Sequence, residues 1–243
     1  MLFLALPLAL TPPVHAEATP EDHVMINQYG AVLHWEKAEV GFVVDPRNME
    51  GLPEDGVTDA AVDAGEAWNE IETVAIEFAF DGRMNGFKGG YDEQSGVYFV
   101  DDWTSSPDLL ALTTTWSNQD GVILDFDLEV NTGDHDWALE SVAGKADLQN
   151  TLAHEFGHAL GAGHIEGNDH ATMYPASAPG ETIKRDLDDA DVAVAEWLYP
   201  DLPEGASLDD DRPFGACSTV PATFGWMAAP AALLAFFRRK VNA

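Results

Sequence analysis

Five short apolar runs, rich in β-branched and aromatic residues and bounded by turn residues, predict the β-strands of this chain. The first ends at Pro46, where a turn is expected because proline does not continue a strand ladder. The runs cover residues 39–45, 74–80, 96–100, 109–116 and 122–130.

Helical periodicity appears at three places between and after these runs. The first predicted helix carries one apolar stripe spaced 4, 3, 4 and 3 residues apart, with Thr58 as its predicted N-cap. The stripe consists of Val57, Ala61, Ala64, Trp68 and Ile71. A second helix is predicted from about 147 to 161, and a third over 189–199 with an acidic first turn that suits the helix dipole. Because the first helix lies between strands, we expect an α+β fold in which a mixed sheet has a helix packed across one face.

The N-terminus has the pattern of an export signal. An apolar run covers residues 2–10, and Val14 and Ala16 place small residues where a signal peptidase would cut, so residues 1–16 are predicted to be a signal peptide. No basic residue precedes the run, so either the true start lies upstream or the signal is weak. The alternative is a buried N-terminal strand or helix.

The C-terminus has a second pattern typical of a sorting signal, in residues 217–243. Residues 220–237 contain no charge and are followed by three basic residues, Arg238, Arg239 and Lys240. As a helix, this stretch would span about 27 Å, close to the thickness of a bilayer core. The order of Cys217, apolar span and basic cluster resembles the C-terminal sorting tails of Gram-negative surface proteins, the myxobacterial kind especially. A plain membrane anchor and a buried terminal helix are the alternatives.

The remaining residues divide into three predicted segments. The Pro-, Gly- and Asp-rich stretch has no apolar period and is expected to be an exposed linker. The segments are a short N-terminal segment (17–30), a folded domain (31–202) and the linker (203–216).

Composition limits what the domain can bind. The chain has 43 Asp and Glu against 11 Lys and Arg, a net charge of −32, so we expect neither nucleic acid nor an anionic membrane to bind its folded surface. With 46% hydrophobic residues the chain is able to form a packed core, and its single cysteine excludes both an internal disulfide and a Cys-based zinc finger. Asp125, Asp127 and Glu129 share one strand face, which favours a solvated acidic face over a possible Ca²⁺ site.

The residues that predict chemistry lie between His154 and His164. On a helix, His154 and His158 stand one turn apart on the same face, so both imidazoles can reach one ion. The next turn cannot supply a third ligand at tetrahedral angles. Gly161 can take a positive φ and turn the chain back, which brings His164 to the same point. Zn²⁺ is the expected metal, and three protein ligands leave an open position, as in catalytic zinc sites.

Glu155 follows the first histidine and lies too far round the helix to share the ion. Its position suits a general base that takes a proton from a water at the open position and later passes it to a leaving amine. This arrangement predicts hydrolysis without a covalent intermediate.

The run from His154 to His164 resembles the zinc motif of the metzincin peptidases, and of their matrixin branch in particular. The segment Ala171–Pro175 resembles the family's Met-turn, in which Met173 would pack beneath the zinc histidines. Residues 67–71 and 188–199 resemble its first and last helices, so the resemblance covers about residues 32–200.

This resemblance implies a secreted or surface-attached zinc endopeptidase with a twisted mixed sheet and a long active-site helix. Substrate would add as an antiparallel strand along an edge strand, for which residues 109–116 are the candidate. The loop after Pro175 would form a wall of the pocket past the scissile bond. We expect an exported monomer at the cell surface or outside the cell. The alternative is a non-enzymatic surface protein that retains the fold and binds a partner.

Overall fold

The structure, a computed structural model, describes residues 18–48, 51–200 and, for the backbone alone, 233–239. The predicted signal peptide, the linker after residue 202 and most of the C-terminal tail lie outside the described residues. Nearly all of the predicted N-terminal segment and of the folded domain lies within them.

A twisted sheet of mixed direction forms the centre of the domain, as predicted. The β1–β2, β1–β3 and β3–β5 pairs are parallel, whereas β4 pairs with β5 in the antiparallel direction. These strands cover Glu39–Val44 (β1), Glu77–Arg83 (β2), Gly96–Val100 (β3), Leu109–Ser117 (β4) and Ile123–Asn131 (β5). Two short strands, Trp137–Ala138 (β6) and Ala146–Asp147 (β7), form a separate parallel pair.

Two further strands extend the sheet beyond β4. They are Ala176–Ser177 (β8) and Leu233–Arg239 (β9), and the strand order is β2-β1-β3-β5-β4-β9-β8. The prediction that residues 109–116 form an edge strand is therefore wrong for this structure. The physical reason is that β9, from the far end of the chain, pairs with the free side of β4.

Three α-helices pack with the sheet, namely Glu54–Asn69 (α1), Leu148–Leu160 (α2) and Asp189–Leu198 (α3). Short 3₁₀ helices cover Pro20–His23 and Ile183–Arg185. The first helix begins earlier than predicted, after Pro53, so Thr58 is not its N-cap. The Thr58 hydroxyl instead donates to the carbonyl of Glu54 within the helix.

The strand predicted over residues 74–80 begins three residues later, at Glu77. Val74 forms an isolated bridge with Pro200, and the amide of Ala75 donates to the carbonyl of Tyr199. These contacts tie the segment to the end of α3, so the ladder with β1 starts only where Glu77 lies opposite Glu39.

Aromatic packing fixes α2 against the sheet. The ring of Phe156 lies with its centroid 4.8 Å from that of Phe78, 5.0 Å from Phe42 and 6.0 Å from Phe126, in edge-to-face arrangements. Such pairs contribute about 0.5–1.5 kcal/mol each beyond the apolar area they bury. From α1, the indole of Trp68 donates to the carbonyl of Ala153 on α2. The helix that carries the predicted zinc motif is thus held from two sides.

Within the described ranges, none of the helices has the length and apolar character needed to cross a bilayer. Residues 233–237 of the predicted C-terminal span belong to β9, and the rest of that span is outside the described residues.

Candidate metal centre

Helix α2 presents two of the predicted ligands from a fully packed environment. Asp147 caps the helix by accepting the amide of Asn150, and every residue of α2 except Gln149 is buried. His154 and His158 lie one turn apart, as the spacing predicts, with ring centroids 4.7 Å apart and ring planes perpendicular. The rings therefore converge on one side of the helix instead of stacking.

Gly161 turns the chain back toward these rings, as predicted. It has a φ of +103° and its amide donates to the carbonyls of Gly157 and His158, which ends the helix. A Cβ here would lie 2.3 Å from the carbonyl oxygen of Leu33, so both conformation and space require glycine.

The structure brings the third predicted histidine to the same place. The ring centroid of His164 lies 5.3 Å from that of His154 and 4.9 Å from that of His158. One possible ligand atom from each of the three lies within 4.8 Å of the others. A group this close could hold one metal ion, and imidazole nitrogens are ligands that zinc accepts.

Backbone carbonyls set the tautomers of the two helical histidines. Nδ1 of His154 donates to the carbonyl of Thr172 over 2.6 Å, and Nδ1 of His158 donates to that of Ala162 over 2.8 Å. Because carbonyls only accept, Nε2 of each ring keeps its lone pair, as a metal ligand must. In His158 this Nε2 is buried and has no hydrogen-bond partner among the described residues. The donor set therefore fits a zinc ion.

Burial also keeps these rings neutral. Desolvation, followed by the nearby His164, lowers the pKa of His158 to about 3. The pKa of His154 is lowered for the same reason, with smaller contributions from His158 and His164. Neutral imidazole is the form that binds zinc, so the site needs no deprotonation at physiological pH.

Met173 packs against the helix that carries two of the histidines, at Gly157. Its side chain is fully buried, and a Cβ on Gly157 would lie 2.2 Å from its sulfur. The absence of a side chain at Gly157, one residue before His158, therefore allows the thioether to pack closely against the helix.

An acidic residue of α3 holds this turn in place. One carboxylate oxygen of Asp191 accepts the amide of Met173 over 2.9 Å, and the other accepts the amide of Thr172 over 2.7 Å. Since the carbonyl of Thr172 orients His154, Asp191 acts on the ligand through the turn. Sequence reasoning assigned the acidic start of α3 only to the helix dipole and missed this contact.

Glu155, which follows His154 on α2, is fully buried. Its Oε2 accepts a 2.5 Å hydrogen bond from the Thr113 hydroxyl of β4, and its Oε1 has no hydrogen-bond partner among the described residues. Burial raises the pKa of Glu155 to about 8, opposed by the Thr113 hydrogen bonds. Thr113 was also missed by sequence reasoning; the available signal is a polar residue at an inward position of an apolar strand.

The acidic face of β5 differs from the prediction. Asp125 and Asp127 are buried, and they accept backbone amides of the loop before β3, from Gly90, Asp92 and Glu93. The expectation of a solvated face is therefore wrong for both, because this loop covers them. The Ca²⁺ alternative is not supported either: the histidine group is the one group with metal-holding geometry in the described parts of the chain.

Comparison with known families matches residues 34–200 to the family model described as Matrixin. The match covers most of the chain and contains the three histidines, Glu155 and Met173. A comparison with curated proteins finds no match.

Proposed function

The chain belongs to the matrixin family of peptidases, and on that premise we propose that it is a zinc-dependent endopeptidase with Glu155 as its general base. One observation carries the proposal: three histidine rings converge, and the residue that follows the first of them, Glu155, is a buried carboxylate with one oxygen that has no partner among the described residues. A non-enzymatic binding protein has no need of such a carboxylate.

Zinc would be held by His154, His158 and His164. Bound there, it would polarise a substrate carbonyl and lower the pKa of a water from 15.7 to about 7. Three protein ligands leave a fourth position for that water.

Glu155 moves the proton in this proposal. Its Oε2 is anchored by Thr113, so Oε1 is the oxygen that takes the proton of the attacking water. The same oxygen then gives the proton to the amine that leaves when the peptide bond breaks. Burial raises the pKa of Glu155 above the usual range of a carboxyl group, which helps the group to hold the proton between the two steps.

Substrate is proposed to bind as an extended strand along β4, antiparallel to it and in the place of β9. The hydroxyl of Thr113 on β4 reaches Glu155, so a strand on β4 passes close to the general base. The short strand β8 follows the Met-turn directly and would lie on the other side of the peptide. Backbone hydrogen bonds would then supply affinity that is independent of side-chain sequence.

The test compares wild type with Glu155→Gln, each as the full chain and as a chain ending at Ala216. We expect zinc-dependent cleavage of casein and of a peptide library, abolished by a chelator. Loss of the general base should lower cleavage about 10²–10⁴-fold. Zinc content, measured by metal analysis, should be the same in both proteins. Stoichiometric zinc without cleavage of any substrate would instead support the binding-protein alternative.

Export is a further part of the proposal. It is supported by the sequence at both ends: the apolar run with small residues before residue 17, and Cys217 followed by an apolar span and three basic residues. The protein would then work at the cell surface of a Gram-negative bacterium or outside the cell. Mass spectrometry of the mature protein tests this, and an intact Met1 together with an intact Ala243 would count against it.

A further inference from the structure

His164 depends on a loop for its position, unlike the other two proposed ligands. His154 and His158 are fixed by α2, whereas His164 is only partly buried and follows the turn at Gly161. Any contact that holds residues 161–165 therefore sets the distance between His164 and the other rings.

The N-terminal segment makes such contacts on one side of the loop. The amide of Met25 donates to the carbonyl of Gly161, and the amide of Gly163 donates to the carbonyl of His23, both over 2.7 Å. Between them, Val24 and Ala162 form an antiparallel bridge. Nδ1 of the His23 side chain also donates to the carbonyl of His164 itself, over 2.9 Å.

The loop is held from the other side by the Met-turn, since the amide of Ile165 donates to the carbonyl of Met173 over 2.9 Å. The N-terminal segment is itself anchored: Met25 is buried and its carbonyl accepts the amide of Leu33 over 2.8 Å. The loop that carries His164 is thus clamped between two ordered segments.

We propose that His23 is a positioning residue for the metal centre, acting through the backbone of His164. The inference rests on zinc binding at the proposed site. It extends beyond the family match, which begins at residue 34. A functional peptidase domain would accordingly begin before His23, and trimming past Met25 would release the third ligand.

The test measures zinc dissociation from purified full chain under an excess of chelator. His23→Ala removes the side-chain contact to His164, whereas His23→Asn keeps a donor near the position of Nδ1. His34→Ala is the matched control, because its ring bonds the nearby carbonyl of Val32 and makes no hydrogen bond to the loop of residues 161–165 among the described residues. We expect zinc release to be about 10-fold faster in His23→Ala, largely restored in His23→Asn and unchanged in His34→Ala.

Zinc release from His23→Ala at the wild-type rate would overturn this role. If that variant also loses unfolding free energy in the zinc-free protein, His23 is merely structural. Neither measurement requires catalysis, so the role of His23 can be tested even if the protein is not a peptidase. If the wild-type protein binds no zinc, the proposed metal site itself is refuted.

A second inference follows from β9, independently of the N-terminal contacts. This strand runs antiparallel to β4, with Ala235 opposite Thr113, and parallel to β8. It therefore has the place and the direction that we propose for a peptide substrate. Thr113 also donates to Glu155, so the chain's own backbone passes next to the general base.

We infer that residues 233–239 compete with substrate, so that the intact chain is latent until its C-terminal tail is withdrawn or removed. The inference rests on the proposed substrate position along β4. A tethered segment has an effective concentration near the millimolar range, which makes it a strong competitor even with modest intrinsic affinity. Cleavage of the tail near Cys217 would detach β9 from the domain.

Hydrogen exchange tests this occupancy without relying on activity. The full chain and a chain ending at Ala216, both carrying Glu155→Ala to prevent self-cleavage, are compared. We expect the β4 amides that do not pair with β5 to exchange more slowly in the full chain. Equal exchange of β4 amides in both chains would overturn the inference.

A second test measures peptide cleavage by the same two chains with Glu155 intact. The chain ending at Ala216 should cleave peptides about tenfold faster than the full chain. A synthetic peptide of residues 231–241 should inhibit the shorter chain competitively, whereas a scrambled peptide should not. If both chains are inactive, the peptidase proposal is contradicted, and the hydrogen-exchange measurement alone decides whether β9 occupies β4. If both chains are equally active, the latency inference is contradicted.

Discussion

Gly157 and Gly161 show how single residues shape the centre. A side chain at Gly157 would collide with the sulfur of Met173, and one at Gly161 would collide with the carbonyl of Leu33. The first glycine allows Met173 to pack against α2, and the second allows the chain to return with His164. The motif's spacing indicates the turn at Gly161, whereas the contacts that exclude a side chain at either position come from residues distant in the chain.

At Thr113, replacement by valine tests how Glu155 is held. We expect Thr113→Val to lower peptide hydrolysis about tenfold, because a hydrogen bond to a charged group contributes about 1.5–3 kcal/mol. The Thr113 hydrogen bonds lower the pKa of Glu155, so their loss raises it and moves the acid limb of the pH–rate profile to higher pH. Thr114→Val, a partly buried neighbour on the same strand, is the control. A wild-type rate and an unmoved acid limb would contradict the role.

Asp127 offers a pH-dependent test of stability. Burial raises its pKa to about 7, with a smaller contribution from Asp125, and its Oδ1 has no hydrogen-bond partner among the described residues. The folded state therefore binds more protons than the unfolded state between about pH 4 and pH 7, so the charge costs stability as pH rises through that range.

We expect Asp127→Asn to raise the unfolding free energy by about 1–2 kcal/mol near pH 8 and to give no gain near pH 4, measured by urea unfolding. Asp125→Asn is the control: both of its oxygens accept hydrogen bonds, so its replacement should destabilise at both pH values. Stabilisation of wild type by added calcium, lost in Asp127→Asn, would instead reveal a cation site.

Among the elements, α3 supports the metal centre from a distance. It contributes no predicted ligand, yet Asp191 at its start accepts three backbone amides, two of them in the Met-turn. The Met-turn then orients His154 on α2 through the carbonyl of Thr172. The three segments thus form one hydrogen-bonded unit, and the position of a ligand on one helix depends on the packing of another.

Asp191→Asn breaks this unit. An amide has only one acceptor oxygen, so at least one buried backbone amide loses its partner. We expect a loss of about 2–3 kcal/mol in unfolding free energy and weaker zinc binding. The exposed neighbour Asp189→Asn should leave both unchanged. Chemical unfolding and a competitive zinc-binding assay measure the two effects; an Asp191→Asn protein that behaves like Asp189→Asn would rule out the coupling.

For the molecule as a whole, charge is the dominant property. The net charge of −32 should attract basic peptides and repel acidic ones at low ionic strength. We expect kcat/KM for a basic peptide to exceed that for a matched acidic peptide at low salt, with the difference shrinking as salt screens the field. Equal values at low salt would show that the surface charge does not steer substrate.

Much of the fold was predictable because its elements depend on short-range pattern. The strands over residues 96–100 and 109–117 and the helices α2 and α3 agree with their periodicity to within a residue or two. The predicted start of α1 and the strand predicted from residue 74 were less accurate. Pro53 opens the helix earlier, and contacts with the end of α3 hold residues 74–75 out of the ladder.

The sequence by itself determined the local chemistry of this protein: three histidines, a carboxylate and a turning glycine within eleven residues, whose relative positions follow from helix geometry. Only the tertiary structure decided what surrounds them. Thr113, Asp191 and His23 reach the centre from other segments, and His23 lies 141 residues from the carbonyl that it contacts. The same holds for β9, whose pairing makes β4 an inner strand. Periodicity records which face of an element is buried, whereas the partner that buries it is chosen by packing between elements distant in the chain.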